Sequence, residues 1–198
     1  MPDVMLDLET LSTRKNAIIL TIGAIKFDPL GDITQGLHDP TSIDELKERC
    51  PDHFYMKVNI ESCRQLGMHA DADTIKWWST KPLEVKEEAL GGIDREPIQV
   101  MLDKLYFWFS GAEAVWSNGA TFDIPIISDA YNMIGRKAPW KYWNERCVRT
   151  ALHLGKTEPV KPPRGQHHHP LFDCYYQTIG VQRALRNISI GGSNGSGS

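Results

Sequence analysis

The chain has 198 residues, of which 41% are hydrophobic and 24% are charged, and its formal net charge is −3. This composition suits one folded domain and excludes an intrinsically disordered chain. The weakly negative charge excludes a nucleic-acid coat protein, which would be strongly basic, but it allows an enzyme that attracts phosphates through bound cations.

The first part of the chain is predicted to be a β-meander. Residues 4–9 alternate three aliphatic residues with Met5, Asp7 and Glu9, so the two carboxylates leave the same face of a strand. Residues 17–27 are almost continuously apolar, as expected of a strand that is buried on both faces, and the turn DPLGD follows them. Residues 55–60 alternate again and predict a half-buried third strand.

Helices are predicted for most of the rest. Apolar residues at helical spacing, with prolines at the starts and glycines at the ends, predict helices at residues 71–80, 82–90, 97–110, 122–134, 143–154 and 170–188. One more short strand is predicted at residues 114–118, and residues 157–166 are too rich in proline and charge for regular structure. This order of elements indicates an α/β layer fold with a mixed sheet.

The chain is predicted to be one domain, residues 1–190, followed by a flexible linker or tag remnant. That tail, residues 191–198, contains only Gly, Ser and Asn. The four cysteines have no C-x-x-C spacing, which indicates reduced thiols in the cytoplasm. No stretch approaches the roughly 20 apolar residues of a membrane helix, and the N-terminus does not resemble a signal peptide. We therefore expect a cytoplasmic protein with no membrane partner.

Two carboxylates at the end of the first strand are the first candidates for chemistry. Asp7 and Glu9 are two residues apart, and like charges side by side in a partly buried site need a cation between them. Their oxygen atoms suit Mg²⁺ or Mn²⁺ better than zinc. Taken alone, D-x-E on a strand is a weak signal for a metal site, and a pair of this kind is more often a solvated strand end.

Two later acidic residues extend this set. Asp123 lies in the first turn of its predicted helix, where a negative charge also complements the helix dipole without any further role. Asp173 lies one turn into the last helix, on the side that faces the core. It therefore needs a partner, which would be a metal ion or an ion pair with Arg146 or Arg149.

A run of three histidines, residues 167–169, precedes Pro170 at the start of the last helix. The positive end of the helix dipole disfavours imidazolium, which would keep His168 neutral and able to accept a proton. The alternatives are a loop without a chemical role and a transition-metal site built on the triplet. Consecutive side chains point in different directions, which argues against the metal site.

Four carboxylates and a histidine in the order D-x-E … D … H-x₄-D resemble the DEDDh exonucleases of the DnaQ-like superfamily. The motifs are DLET at residues 7–10, TFD at residues 121–123 and HHPLFD at residues 168–173. The segments TIKWW and WNERCVRT are similar to the DexA group of phage exonucleases and to its bacterial exoribonuclease relatives. The resemblance covers nearly the whole chain. It implies an α/β, RNase H-like fold with a mixed five-stranded sheet flanked by helices.

The resemblance also implies a reaction, which is metal-dependent 3′→5′ exonuclease cleavage. Two ions, Mg²⁺ or Mn²⁺, would straddle the scissile phosphate; Asp7 would bridge both, Glu9 and Asp173 would complete one shell, and Asp123 would serve the other. His168 would act as the general base on the attacking water. The products would be nucleoside 5′-monophosphates released from a free 3′ end.

Substrate contacts follow from the same resemblance. The residues expected to contact the nucleic acid are Thr10, Leu11, Asn118, Phe122, Trp78 and Arg149. Leu11 would wedge against the terminal base. Of the adjacent Trp77 and Trp78, one would lie in the core, and the other would either stack on a base or have a purely structural role. Arg149, with Arg146, would hold a phosphate or pair with an acidic side chain.

Two positions depart from the family pattern or leave a choice within it. Many members carry an asparagine four residues before the second-motif aspartate, where this chain has Gly119, and Asn118 lies one residue earlier. The five-residue spacing to Asp173 selects His168 as the base, with His169 as the alternative.

The substrate is expected to be single-stranded nucleic acid with a free 3′ end, and DNA is favoured. A 3′→5′ exoribonuclease with the same site is the alternative. A non-catalytic nucleic-acid-binding module is less favoured because a decayed site would usually have lost a carboxylate. Similar enzymes are often homodimers, which this chain is compatible with, and the resemblance suggests a bacterial cell or a phage-infected host.

Overall fold

A mixed five-stranded sheet organises the part of the chain that the structure describes. The structure is a computed structural model that describes residues 1–119, 121–163 and 165–193. Its strands are β1 (Asp3–Thr10), β2 (Ile19–Phe27), β3 (His53–Lys57), β4 (Val115–Ser117) and β5 (Glu145–Cys147), in the spatial order β3-β2-β1-β4-β5. The first three strands are antiparallel, whereas β4 and β5 run parallel to β1.

Helices flank this sheet. Those of the described residues are α1 (Ile43–Arg49), α2 (Ile60–Gln65), α3 (Ala72–Ser79), α4 (Leu83–Leu90), α5 (Ile98–Trp108), α6 (Asp123–Met133), α7 (Val148–Leu154) and α8 (Pro170–Ser193), with a 3-10 turn at Tyr142–Asn144. The α/β class and the mixed five-stranded sheet are confirmed, and the arrangement is consistent with an RNase H-like fold. None of the described helices is both long enough and apolar enough to span a bilayer.

The alternation of β1 gives the sheet a separate core on each face. Val4, Leu6 and Leu8 are almost completely buried in one core, together with residues of α5 and α6. Met5 points to the opposite face and joins the core formed with α7 and α8. The two faces follow directly from the two-residue period of a strand. Asp7 and Glu9 therefore project toward the α8 side, at the end of β1.

The predicted helix at residues 143–154 is wrong in its first half. The backbone there forms a 3-10 turn, then β5, and only Val148–Leu154 is helical. Val115 and Trp116 of β4 are 0% and 7% exposed, so the outer edge of β4 needs a hydrogen-bonding partner, and residues 145–147 pair with it as a parallel strand. This long-range pairing overrides the local helical pattern.

The predicted strand at residues 55–60 begins two residues too late and ends three residues too late, and α1 and α2 were not predicted. The strand ends at Lys57 because Asn59 caps α2, its Oδ1 accepting the Ser62 N–H at 2.9 Å. At α1, Ser42 Oγ accepts the Glu45 N–H at 3.2 Å. This S-x-x-E capping pattern was present in the sequence as a signal for a helix start.

The last helix enters the segment that was predicted to be a linker. α8 continues through residues 191–193, because each residue added to an existing helix gains a backbone hydrogen bond at little cost. The rest of that predicted linker, residues 194–198, lies outside the described residues. No helix or strand occurs in the described residues of 157–166, as predicted.

Candidate active site

The site begins at the end of β1. Asp7 lies opposite Gly23 of β2, and Glu9 lies opposite Thr21. Glu9 is 8% exposed, so its carboxylate is almost completely withdrawn from water. The alternation of the strand places both acidic side chains on the face that α8 covers.

Asp173 reaches the same place because α8 begins directly on the sheet. A Cβ added at Gly23 would lie 2.6 Å from Pro170 Cβ, so only glycine leaves room for the first turn of α8. Asp173, in that first turn, then meets the two strand carboxylates. One oxygen atom from each of Asp7, Glu9 and Asp173 lies within 4.8 Å of the other two.

Asp123 stands beside this group and is held by β1. It is the first residue of α6 and is 4% exposed, and its Oδ1 accepts the Leu8 N–H at 3.2 Å. Its negative charge acts on Asp7 and Glu9, although it is not part of the group within 4.8 Å. The structure thus brings the four predicted carboxylates to one region, three of them in direct proximity.

The raised pKa values of these carboxyl groups indicate that a cation is needed to keep them ionised together. Burial, and then repulsion from Asp7, raise the pKa of Glu9 and of Asp123 well above the ordinary range. Burial and the charges of Asp7 and Glu9 raise the pKa of Asp173 to about 9. Such groups ionise together at neutral pH only when positive charge compensates them. A set of hard oxygen donors fits a divalent cation such as Mg²⁺ or Mn²⁺.

Gln177, which was not predicted as a site residue, supports Asp7. Its Nε2 donates to Asp7 Oδ1 at 3.0 Å, and this hydrogen bond limits the pKa of Asp7, which burial raises to about 6. Gln177 lies one helical turn after Asp173 on α8, so this i, i+4 spacing was the available signal. Its Oε1 is buried and has no hydrogen-bond partner among the described residues.

His168 is the predicted base, and it lies against the carboxylates. Its Nδ1 is 3.7 Å from Glu9 Oε1, and its ring meets the Trp77 ring edge-on at 5.2 Å. The side chain is 35% exposed, so water reaches it. Burial and the charge of Lys81 lower the pKa of His168, which favours the neutral ring at pH 7.

The neighbouring His169 is engaged elsewhere. Its Nδ1 accepts the Leu171 N–H at 3.2 Å at the start of α8, and its Nε2 faces Glu88 Oε1 at 3.6 Å. The rings of His168 and His169 therefore face different carboxylates. That divergence is unfavourable for a metal site built on the triplet.

Three predicted substrate contacts fall on buried side chains. Thr10 and Leu11 are each 6% exposed and Trp78 is 2% exposed, with its Nε1 donating to Thr10 O at 2.9 Å. A buried ring offers no face to a base, so the choice of Trp78 is corrected. The exposed indole is that of Trp77, at 41%, and Lys81 Nζ lies 3.7 Å from its ring centroid.

The remaining predicted contacts lie around β4 and β5. Asn118 and Arg149 are exposed neighbours, with Arg149 Nε 3.4 Å from Asn118 Oδ1. Phe122, at the N-cap of α6, is partly buried. Arg146 lies on β5 and donates to the Trp143 carbonyl, so it does not share a helical face with Arg149. Neither arginine forms an ion pair with Asp173 within the described part of the chain.

Comparison with known proteins finds similarity to nucleases over almost the full length of the chain. Residues 2–185 match the sequence model of a family described as the 3′-5′ exoribonuclease Rv2179c-like domain. The exodeoxyribonuclease of Enterobacteria phage T4 is 25% identical over 218 residues, a match that covers 94% of this chain and 90% of that protein.

Proposed function

Because the chain belongs to the family of Rv2179c-like 3′-5′ exoribonuclease domains and is therefore a nuclease, we propose that it shortens single-stranded nucleic acid from the 3′ end by a two-metal mechanism with His168 as general base. Nucleoside 5′-monophosphates are the products. The observation that carries the proposal is the group of Asp7, Glu9 and Asp173 oxygens within 4.8 Å of one another, with His168 beside it.

All four carboxylates serve as metal ligands in this mechanism. Asp7, Glu9, Asp173 and Asp123 would hold two Mg²⁺ or Mn²⁺ ions, which would supply Lewis-acid activation of water and neutralise charge at the leaving oxygen. Gln177 fixes the Asp7 carboxylate by donating to its Oδ1. The Leu8 N–H fixes Asp123 in the same way. Both hydrogen bonds orient the carboxylates before any ligand arrives.

His168 accepts the proton of the attacking water in the proposed mechanism. The Glu9 carboxylate, 3.7 Å from Nδ1, favours the tautomer that carries its proton on Nδ1. Nε2 is then free to accept a proton from the attacking water. The lowered pKa of His168 keeps this nitrogen unprotonated at neutral pH. A positioned base of this kind contributes about 10²- to 10⁴-fold to the rate.

The substrate lies across the exposed side of this group. Trp77 offers an exposed indole for a base, and Lys81, whose Nζ lies over one face of that ring, offers a positive charge for a phosphate. Asn118 and Arg149 contact the nucleic acid from the β4 side, with Phe122. Thr10 and Leu11 line the floor and present only their small exposed edges to the terminal nucleotide.

Single-stranded DNA is the favoured substrate, and RNA is the alternative. The favoured substrate rests on the full-length phage relative, which is an exodeoxyribonuclease. The alternative rests on the family model, which is described as an exoribonuclease domain. The two substrates differ in the ribose 2′-hydroxyl, so a protein group that contacts this hydroxyl would distinguish RNA from DNA. A location in the cytoplasm of a bacterial or phage-infected cell and assembly as a homodimer are further predictions.

A cleavage assay tests the proposal. Purified protein is incubated with 5′-labelled single-stranded DNA or matching RNA, in Mn²⁺, Mg²⁺ or EDTA. We expect a metal-dependent ladder that shortens from the 3′ end, with nucleoside 5′-monophosphates identified by chromatography. Asp7→Ala should reduce the rate at least about a hundredfold, equivalent to about 2.7 kcal/mol, whereas the exposed Asp94→Ala should not.

The same assay also distinguishes a deoxyribonuclease from a ribonuclease, and an enzyme from a binding module. Faster cleavage of DNA or of RNA identifies the preferred sugar. If neither substrate shortens in any metal while the protein remains folded, the catalytic proposal fails and a nucleic-acid-binding module takes its place.

A further inference from the structure

Glu88 of α4 makes contacts that connect the edge strand β3 to the turn before α8, which carries His168 and His169. Its Oε1 accepts a hydrogen bond from Tyr55 Oη, and its Oε2 lies 3.4 Å from Lys57 Nζ. Both partners belong to β3. The same Oε1 lies 3.6 Å from His169 Nε2, in the turn that leads into α8. Glu88 thus joins three elements that are far apart in sequence.

His169 is held on several sides by this arrangement. Its ring stacks on Tyr55 with centroids 5.1 Å apart and planes inclined by 22°, and it meets Phe172 edge-on at 5.5 Å. Its Nδ1 caps the start of α8 through the Leu171 N–H. The side chain is only 15% exposed. With Glu88 on the other ring nitrogen, both polar atoms of the imidazole have partners.

His168, the residue before His169, has an unusual backbone conformation. His168 has φ of +63°, in the left-handed region, which is unfavourable for a residue other than glycine. Such a conformation persists only where neighbouring contacts impose it. Pro170 restricts His169 to an extended backbone, and the His169 side chain is fixed as described. The fixed residues after His168 therefore constrain the backbone from which its ring projects.

Helix α4 is itself anchored to the sheet close to Glu88. Arg95 Nη2 donates to the Ala89 carbonyl at 2.6 Å and to the Gly91 carbonyl at 3.0 Å. Its Nη1 donates to the Leu20 and Val58 carbonyls, both at 3.0 Å. These hydrogen bonds tie the end of α4 to the backbone around β2 and β3. Glu88 is consequently a rigid support for His169.

We propose that Glu88 is a positioning residue that acts through His169 to hold the His168 ring against Glu9. This inference rests on the proposed role of His168 as general base. It assigns a role in catalysis to α4, whose residues contribute none of the predicted metal ligands or substrate contacts. A purely structural ion pair with Lys57 is the competing explanation, and it predicts a loss of stability without a specific dependence on His168.

A double-mutant cycle distinguishes the two explanations. Glu88→Ala should lower kcat by about ten- to a hundredfold, because a small displacement of a catalytic group has effects of about that size, with KM and calorimetric Mn²⁺ affinity unchanged. Combined with His168→Gln, it should cause no further loss, because residues that act as one unit are non-additive. Glu88→Gln retains an acceptor for Tyr55 and should restore most of the rate.

Two more variants keep the test decisive. Glu84→Gln, an exposed position on the same helix, is the matched control and should behave like the parent protein. Tyr55→Phe keeps the stacked ring but removes the hydroxyl donor, and its smaller loss of kcat should also vanish in the His168→Gln background. If Glu88→Ala does not fold, the double-mutant cycle is measured with Tyr55→Phe in its place.

The outcomes separate this inference from the proposed function. An unchanged kcat in Glu88→Ala, or an equal loss with and without His168, overturns the positioning role of Glu88. If His168→Gln and Asp7→Ala retain full activity, the proposed mechanism itself fails, whatever Glu88 does.

Discussion

Replacing Asp7 by asparagine removes one charge from the carboxylate group while preserving its shape. Asparagine is nearly isosteric, and its Oδ1 can still accept the hydrogen bond that Gln177 Nε2 donates to Asp7 at 3.0 Å. The substitution therefore changes the charge and little else. It removes a metal ligand of the proposed mechanism, and it also relieves repulsion in the metal-free protein. We expect activity and stability to change in opposite directions.

The size of the stability gain follows from the pKa of Asp7. Burial raises this pKa from 3.8 to about 6 in the folded protein. Between these values the native state binds more protons than the unfolded chain, so the free energy of unfolding falls as pH rises. A pKa difference of about two units corresponds to about 3 kcal/mol of unfolding free energy. The parent protein has lost all of this contribution at pH 8 and about half of it at pH 5. Asparagine stays neutral and avoids this loss, so the variant should be more stable by up to about 3 kcal/mol at pH 8.

Thermal unfolding in EDTA at pH 5 and pH 8 measures this gain. At about 2–4 °C per kcal/mol, the variant should melt about 6–12 °C higher than the parent at pH 8, with a smaller difference at pH 5. Adding Mn²⁺ should raise the Tm of the parent and have much less effect on the variant, because ligand binding stabilises the folded state. The exposed Asp94→Asn is the matched control.

If Asp7→Asn melts at or below the parent at pH 8 in EDTA, the Asp7 carboxylate is not under electrostatic strain. The case for a cation at this group would then lose its physical basis.

Three further predictions concern other parts of the site. His168→Gln should lower kcat by about 10²- to 10⁴-fold in steady-state assays and leave Mn²⁺ affinity unchanged by calorimetry, because it removes only the proton acceptor. Trp77→Ala should raise KM about tenfold or more through loss of stacking, whereas Trp78→Ala should destabilise the fold by about 3–5 kcal/mol in denaturant unfolding, because Trp78 is 2% exposed. Lys81→Gln should raise KM and reduce the slope of log(kcat/KM) against log salt by about 0.7, whereas the exposed Lys76→Gln should do neither.

Each of these predictions has an outcome that contradicts it. Full activity of His168→Gln would remove it as the base. An unchanged KM in Trp77→Ala would mean that bases do not stack there. Equal effects of Lys81→Gln and Lys76→Gln would assign Lys81 only to the general surface charge.

The chemistry-bearing residues were readable from the sequence because each follows a local pattern. Alternation along residues 4–9 places Asp7 and Glu9 on one face, and no distant contact alters that. Asp123 and Asp173 lie in the first turns of α6 and α8, whose apolar spacing and proline starts are local as well. The order of these motifs was sufficient to indicate the family.

The approach of these residues to one another was decided by tertiary structure. Asp173 meets Asp7 only because Gly23, on a different strand, leaves room for Pro170. The choice between Trp77 and Trp78 depends on which indole the core covers, and adjacent residues in one helix give no local signal for that. Gln177 becomes a support for Asp7 only after α8 is docked on the sheet.

The same distinction explains the errors in the predicted fold. Residues 145–147 have helical spacing, but the buried edge of β4 needs backbone partners, and satisfying them outweighs a weak local preference. Periodicity and capping report which face of an element is apolar and where it begins, so local patterns were sufficient to define the elements that carry the carboxylates. Which faces of these elements meet was set by tertiary packing, because packing depends on residues that are distant along the chain. The role inferred for Glu88 belongs to this second class, since its partners come from β3 and from the turn before α8.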